Sequence, residues 1–226
     1  PISMHAFDYA CLHQGKIIVR RAAEGEVLQT LDGNDRRLTT DMLVIADEGR
    51  PIGVAGVMGG GNSEITDDTK MIVFESANFN GVSIRRTGLA LAMRTDASSR
   101  YEKGLDPQNT MPAVERACEL VELLGAGEVI PGIIDIVALE PQELTLPLEP
   151  ERINALLGTG FTRGYMISVL EKLGFTMIGD DVVVPSWRSD IEHYADLAEE
   201  VARFYGYDVI EPTMFRGETA QGGWSI

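Results

Sequence analysis

Between Gly15 and Ala77 the apolar residues fall in short alternating runs, a period-two pattern that predicts strands. "KIIVRRA" and "EVLQTLDG" are separated by "AEG" and predict a hairpin. "DMLVIADEGRPIGVAGVMGG" predicts two further strands divided by a turn at "DEGRP". "MIVFESANF", rich in β-branched and aromatic residues, predicts another. The rhythm then becomes helical. Residues Gly81–Met93 form one candidate helix and Asn109–Leu124 a clearer one, with Pro112 near its start. Val114, Ala117, Cys118, Val121 and Leu124 share a face of it, and Gly125 and Gly127 end it. "EVIPGIIDIVAL" returns to strand character, so residues 1–139 read as an α+β domain with a mixed sheet.

"EPQE" at 140–143 marks a boundary. Beyond it come a short strand "LTLPL", helices over Glu151–Leu157 and Thr162–Leu173, and a hairpin about "GDD". A last helix follows within "SDIEHYADLAEEVARFYGYD". Two helices, a hairpin and a further helix predict a small winged-helix-like α+β domain over 140–212. "SDIE" fits a capping box, with Ser189 as N-cap and Glu192 at the third helical position. Residues 213–226 read as a linker or tail.

Composition narrows the function. The chain has 226 residues, 35 acids against 19 bases and a net charge of −16. Such a surface does not hold nucleic acid by its own field, and a DNA-reading winged helix needs bases where the second helix offers only Arg163 and Lys172. No apolar run reaches the roughly 18–20 residues of a membrane span. Cys11 and Cys118 are the two cysteines and neither sits in a CxxC pair, which predicts free thiols in a reducing compartment. The chain begins with Pro1 and reads as a piece of a longer protein.

The last helix carries the densest charge. Tyr194, Leu197, Ala198, Val201, Phe204 and Tyr205 make one apolar stripe, with Asp196, Glu199, Glu200 and Arg203 nearly opposite. These acids fit a solvated face with Arg203 as partner, a docking face on a non-catalytic scaffold, or a site for a hard cation such as Mg²⁺, which takes oxygen ligands. Asp190, if already helical, points roughly 120° away from Asp196. His13 and His193 look incidental, and "RTDASSRYEKGLDP" reads as a polar loop with Arg94, Arg100 and Lys103.

Five blocks then align in order with one family. "MHAFDYA", "ADEGRPIGVAGVMGG", "VFESANFN", "RTGLALAMRTDASSRYEKGLDP" and "VPSWRSDIEHYADLAEEVARFYGYD" resemble the bacterial phenylalanyl-tRNA synthetase beta subunit over nearly the whole chain. The resemblance implies most of an editing domain followed by the next small domain of a much longer, cytoplasmic subunit. It implies an alpha2-beta2 heterotetramer that uses ATP and Mg²⁺ to join phenylalanine to tRNA(Phe). Aminoacylation belongs mainly to the alpha subunit, so the fragment alone is not expected to perform it. The spacing "D, five residues, D, two residues, EE" falls on Asp190, Asp196, Glu199 and Glu200, which the resemblance assigns to magnesium in the assembled enzyme.

The family's second activity is hydrolysis of mischarged Tyr-tRNA(Phe). An apolar pocket rejects one added hydroxyl by only about 10²-fold, so a second site that welcomes the hydroxyl is needed. The resemblance places Glu75 as the acceptor for the phenol, an odd residue for an apolar strand unless that face meets solvent. It places Ala55 and Gly56, within the glycine-rich "GVAGVMGGG", at the floor of the ring pocket. The same run serves equally as a plain turn, and it is no phosphate loop because no Lys follows in the required position. His5 aligns near the scissile ester. No Ser-His-acid triad stands out, so direct attack by water is the expected chemistry.

Overall fold

The computed structural model describes residues 3–140, 142–212, 214 and 217. The chain divides into two compact units, Pro1–Pro141 and Gln142–Ile226. Both are α+β, and the strand pairings among the described residues are antiparallel rather than mixed. No helix among them is long and apolar enough to cross a membrane.

The first unit contains eight strands among its described residues: β1 (Met4–Asp8), β2 (Ile18–Arg21), β3 (Val27–Gln29), β4 (Asp35–Arg37), β5 (Leu43–Ala46), β6 (Pro51–Val54), β7 (Met58–Gly59) and β8 (Ile72–Ser76). They form a four-stranded sheet in the order β2-β5-β6-β7 and two pairs, β3-β4 and β1-β8. The expected hairpin across "AEG" does not form, since β2 pairs with β5 and β3 with β4. Glu26 explains the break. Its carboxylate accepts from Arg20 at 2.7 and 2.9 Å and from the Ala23 N–H at 2.9 Å, and this clamps a corner where a reversal was expected. The turn at "DEGRP" does join β5 to β6. The Asp47 side chain closes it by accepting from the Gly49 and Arg50 N–H groups.

Three helices complete the unit: α1 (Gly81–Ala90), α2 (Asp96–Tyr101) and α3 (Thr110–Leu123). Asn80 caps α1 by accepting from the Ser83 N–H, and α2 opens on a Thr95–Ser98 capping box. Leu38, Val44, Ile52, Ile84, Phe7 and Tyr101 are almost fully buried in one core. The segment "EVIPGIIDIVAL" departs from its expected strand. It is irregular, and Ile134 and Leu139 are 90% and 87% exposed. No strand among the described residues runs beside it, so its apolar pattern has no ladder to join. The predicted face of α3 is only half-covered, and Leu124 just beyond it is exposed.

The second unit contains β9 (Leu144–Pro147), α4 (Pro150–Leu157), α5 (Arg163–Lys172), β10 (Thr176–Ile178), β11 (Asp181–Val184) and α6 (Tyr194–Tyr205), with a sheet ordered β10-β11-β9. Two helices, the hairpin at "GDD" and α6 give the winged-helix-like order. Ile153, Met166, Leu170, Phe175, Val182 and Leu197 form its core. The N-cap of α6 is His193, not Ser189, and Asp196 rather than Glu192 closes the box. His193 is therefore structural rather than incidental. The predicted tail at 213–226 lies outside the described residues apart from 214 and 217.

Candidate active site

β1 and β8 set His5 directly opposite Glu75. Opposed residues of an antiparallel pair project from the same face. Here that face meets a cavity of about 300 Å³, whose lining includes His5, Ala55, Gly56 and Glu75. The opposite wall is the β6–β7 hairpin, with Val54 paired to Met58. The first turn of α2 supplies a third side, and Phe79 and Tyr101 line the cavity from the core.

Two glycines keep this space open. Gly56 has φ of +65°, and a Cβ there would lie 3.0 Å from Ile84 and 3.1 Å from both Phe79 and Tyr101. A Cβ on Gly59 would lie 2.4 Å from Cε1 and 2.6 Å from Nε2 of His5. The imidazole therefore lies against backbone that only glycine can present so closely. It also meets Phe7 edge-on, with 4.6 Å between ring centroids.

The polar groups of the cavity are poorly satisfied. His5 Nε2 is buried with no hydrogen-bond partner among the described residues, and burial lowers the pKa of the ring, which favours neutral imidazole. Glu75 is half-buried by surface area, because its side chain borders the cavity, yet protein surrounds it closely enough that burial pushes its pKa up to about 7. Tyr101 lies beneath, its hydroxyl placed 2.8 Å from the Ser3 carbonyl and 2.9 Å from that of Ala77, to which it donates. Burial, followed by the nearby Glu75 charge, raises the Tyr101 pKa. Tyr101 thus ties the ends of β1 and β8 together behind the His5–Glu75 pair.

The acids of α6 are arranged differently from the expected metal cluster. Asp190 forms a two-pronged pair with Arg188, at 2.8 and 2.6 Å. Glu200 is buried rather than solvated, and accepts from Arg188 at 2.7 Å and from Arg203 at 2.6 Å. Burial alone would raise its pKa, but the two guanidinium groups lower it. Asp196 accepts the N–H groups of Glu192 and His193, at 2.9 and 2.8 Å, and Glu199 is exposed. Among the described residues no three His, Cys, Asp or Glu side chains converge to hold a metal ion. One guanidinium holds the place between Asp190 and Glu200, so the four acids as arranged here do not fit a magnesium shell.

Residues 2–126 match the model of the B3/4 domain. The chain belongs to the B3/4 domain family. Residues 146–207 of its second unit match the tRNA synthetase B5 domain. Over 221 residues the chain is 46% identical to the phenylalanine–tRNA ligase beta subunit of Moorella thermoacetica, covering 96% of this chain and 28% of that protein. It is 40% identical over 224 residues to the same subunit of Bacillus subtilis, covering 97% and 28%. An N-terminal fragment of the phenylalanyl-tRNA synthetase beta-subunit from Pyrococcus horikoshii superposes on 91% of this chain and 60% of its own, with TM-score 0.46 and 17% identity. The chain thus spans 28% of the length of these curated relatives and is similar to them over 96–97% of its own length.

The B3/4 cavity also uses residues that the sequence reading passed over. "RTDASSRYEKGLDP" contains a helix, and Thr95, Asp96, Ala97 and Tyr101 line the site. The signal was available: Thr95 and Ser98 stand at capping-box spacing, and one aromatic residue sits in an otherwise polar run. Gly59 gave no signal of its own, because its role depends on where β1 passes.

Proposed function

We propose that the B3/4 unit is a hydrolytic editing site that removes tyrosine from mischarged tRNA(Phe). The convergence of His5, Ala55, Gly56 and Glu75 on one cavity carries this reading. An aromatic ring lies over the small residues of the β6–β7 hairpin. Its phenol donates to Glu75, a strong and otherwise unserved acceptor. Phenylalanine leaves that acceptor unpaired and so binds poorly. Neutral His5, with a free ring nitrogen, orients the water or the ribose end of the ester. Water attacks the acyl carbon, the bond to the ribose oxygen breaks, and that oxygen takes a proton.

The region works within a larger ligase that pairs with an alpha subunit in an alpha2-beta2 assembly. That enzyme uses ATP and Mg²⁺ and sits in the cytoplasm. Asp190, Asp196, Glu199 and Glu200 reach a metal there only if the assembly first displaces Arg188, so no step is assigned to them here. The B5 unit serves as a structural module, its buried charge satisfied within the chain.

Deacylation of Tyr-tRNA(Phe) by the whole enzyme tests the proposal. Glu75→Ala and His5→Ala are each expected to slow it by about 10²-fold while aminoacylation persists. Unchanged deacylation in both variants contradicts the assignment.

A further inference from the structure

The lining of the B3/4 cavity contains two carboxylates, Glu75 and Asp96, and among the described residues no Lys or Arg. Neither acid receives a hydrogen bond or forms an ion pair with a described residue. They lie at different depths. Glu75 shares the lining with buried Phe79 and lies near enough to buried Tyr101 to act on its pKa, whereas Asp96 is exposed at the first turn of α2. That turn is anchored, because the Thr95 hydroxyl donates to the Val57 carbonyl at 2.8 Å and accepts from the Ser98 N–H. Asp96 therefore stands at a fixed place on the rim, beside the β6–β7 hairpin that walls the cavity.

We infer that Asp96 holds the α-ammonium group of the aminoacyl ester, and that the cation-free lining retains the ester and releases the carboxylate it becomes. This deepens the hydrolytic reading above and rests on it. A tyrosyl ester carries a phenol at one end of an apolar ring and an ammonium at the other. The two unserved carboxylates are separated in the same sense, one deep and one at the rim. Before hydrolysis the amino-acid moiety carries one positive charge and no negative one. In the reaction the water oxygen bonds to the acyl carbon, the acyl–ribose bond breaks, and the ribose oxygen takes a proton. The new carboxylic acid loses its own proton to solvent. The product carboxylate then faces Asp96, a neutral imidazole at His5 and no cation. Like charge across a partly desolvated cavity drives it out. The site thus takes phenolic amines whose carboxyl is masked, and rejects the free amino acid.

Calorimetric binding to this chain tests the inference, with tyramine, L-tyrosinamide, L-tyrosine and phenethylamine as probes. Tyramine and tyrosinamide are expected to bind about tenfold tighter than tyrosine. Asp96→Asn is expected to weaken both amines by about tenfold and to bring tyrosine level with tyrosinamide. Circular dichroism confirms that the variant is folded. Tyrosine binding as tightly as tyrosinamide, or an Asp96→Asn chain that keeps the discrimination, overturns the inference. The hydrolytic reading is tested separately by Glu75→Gln, which is expected to abolish the preference for tyramine over phenethylamine. A preference that survives Glu75→Gln overturns the phenol assignment, whatever Asp96→Asn does. No binding by any probe overturns both.

Discussion

At the residue scale, Glu75 combines a cost to the fold with a use. Its carboxyl has a pKa of about 7, above the ordinary value of 4.5, because burial favours the protonated form. For such a group the fold is most stable below the ordinary carboxylate range, and stability falls as pH rises through about 7. Glu75→Gln removes the penalty. We predict that it raises stability above pH 7, by about 1–3 kcal/mol, and leaves it unchanged near pH 4; urea denaturation across that range checks this. Ionised Glu75 is also the better acceptor for a phenol, so discrimination is expected to strengthen over the same interval. The placement of this acid was only half legible in the sequence. A carboxylate inside "VFESANF" is conspicuous, but alternation along a strand is equally satisfied by a solvent face. The register His5↔Glu75 decided it, and that register is a long-range property.

At the element scale, α6 shows how charge pattern and burial part company. Leu197, Ala198 and Val201 are buried, as the apolar stripe requires, while Phe204 and Tyr205 are 51% and 40% exposed. Glu200, assigned to the polar face, is buried because Arg188, outside the helix, comes over it. Helical spacing cannot report a partner supplied by a preceding loop. The same limit moved the N-cap: "SDIE" and "HYAD" both have cap-and-acid spacing, and the chain uses the second. Arg188→Ala leaves Glu200 with Arg203 alone and Asp190 with neither. We predict that this substitution costs about 2 kcal/mol of unfolding free energy, measured by urea titration. The hairpin expected across "AEG" fails to form for a similar reason, since one carboxylate, Glu26, captures the corner.

At the scale of the whole molecule, the α+β class, the order of the two units and four residues of one cavity were legible from the sequence and its family resemblance. The segment 128–139 was not, because strand character needs a neighbouring strand and none is present among the described residues. Since arginines hold Asp190 and Glu200 and backbone N–H groups hold Asp196, we predict that neither EDTA nor millimolar Mg²⁺ moves the thermal midpoint of this chain by more than about 1 °C. A larger rise with Mg²⁺ would show that the ion displaces Arg188 without help from another subunit. The central claim is that Glu75 recognises a phenolic hydroxyl inside the B3/4 cavity. Its most direct test is the ratio of kcat/KM for deacylation of Tyr-tRNA(Phe) against Phe-tRNA(Phe) by the whole enzyme, with and without Glu75→Gln. The account predicts a ratio of about 10³ or more that falls below about tenfold in the variant, and a ratio that Glu75→Gln leaves unchanged would contradict it.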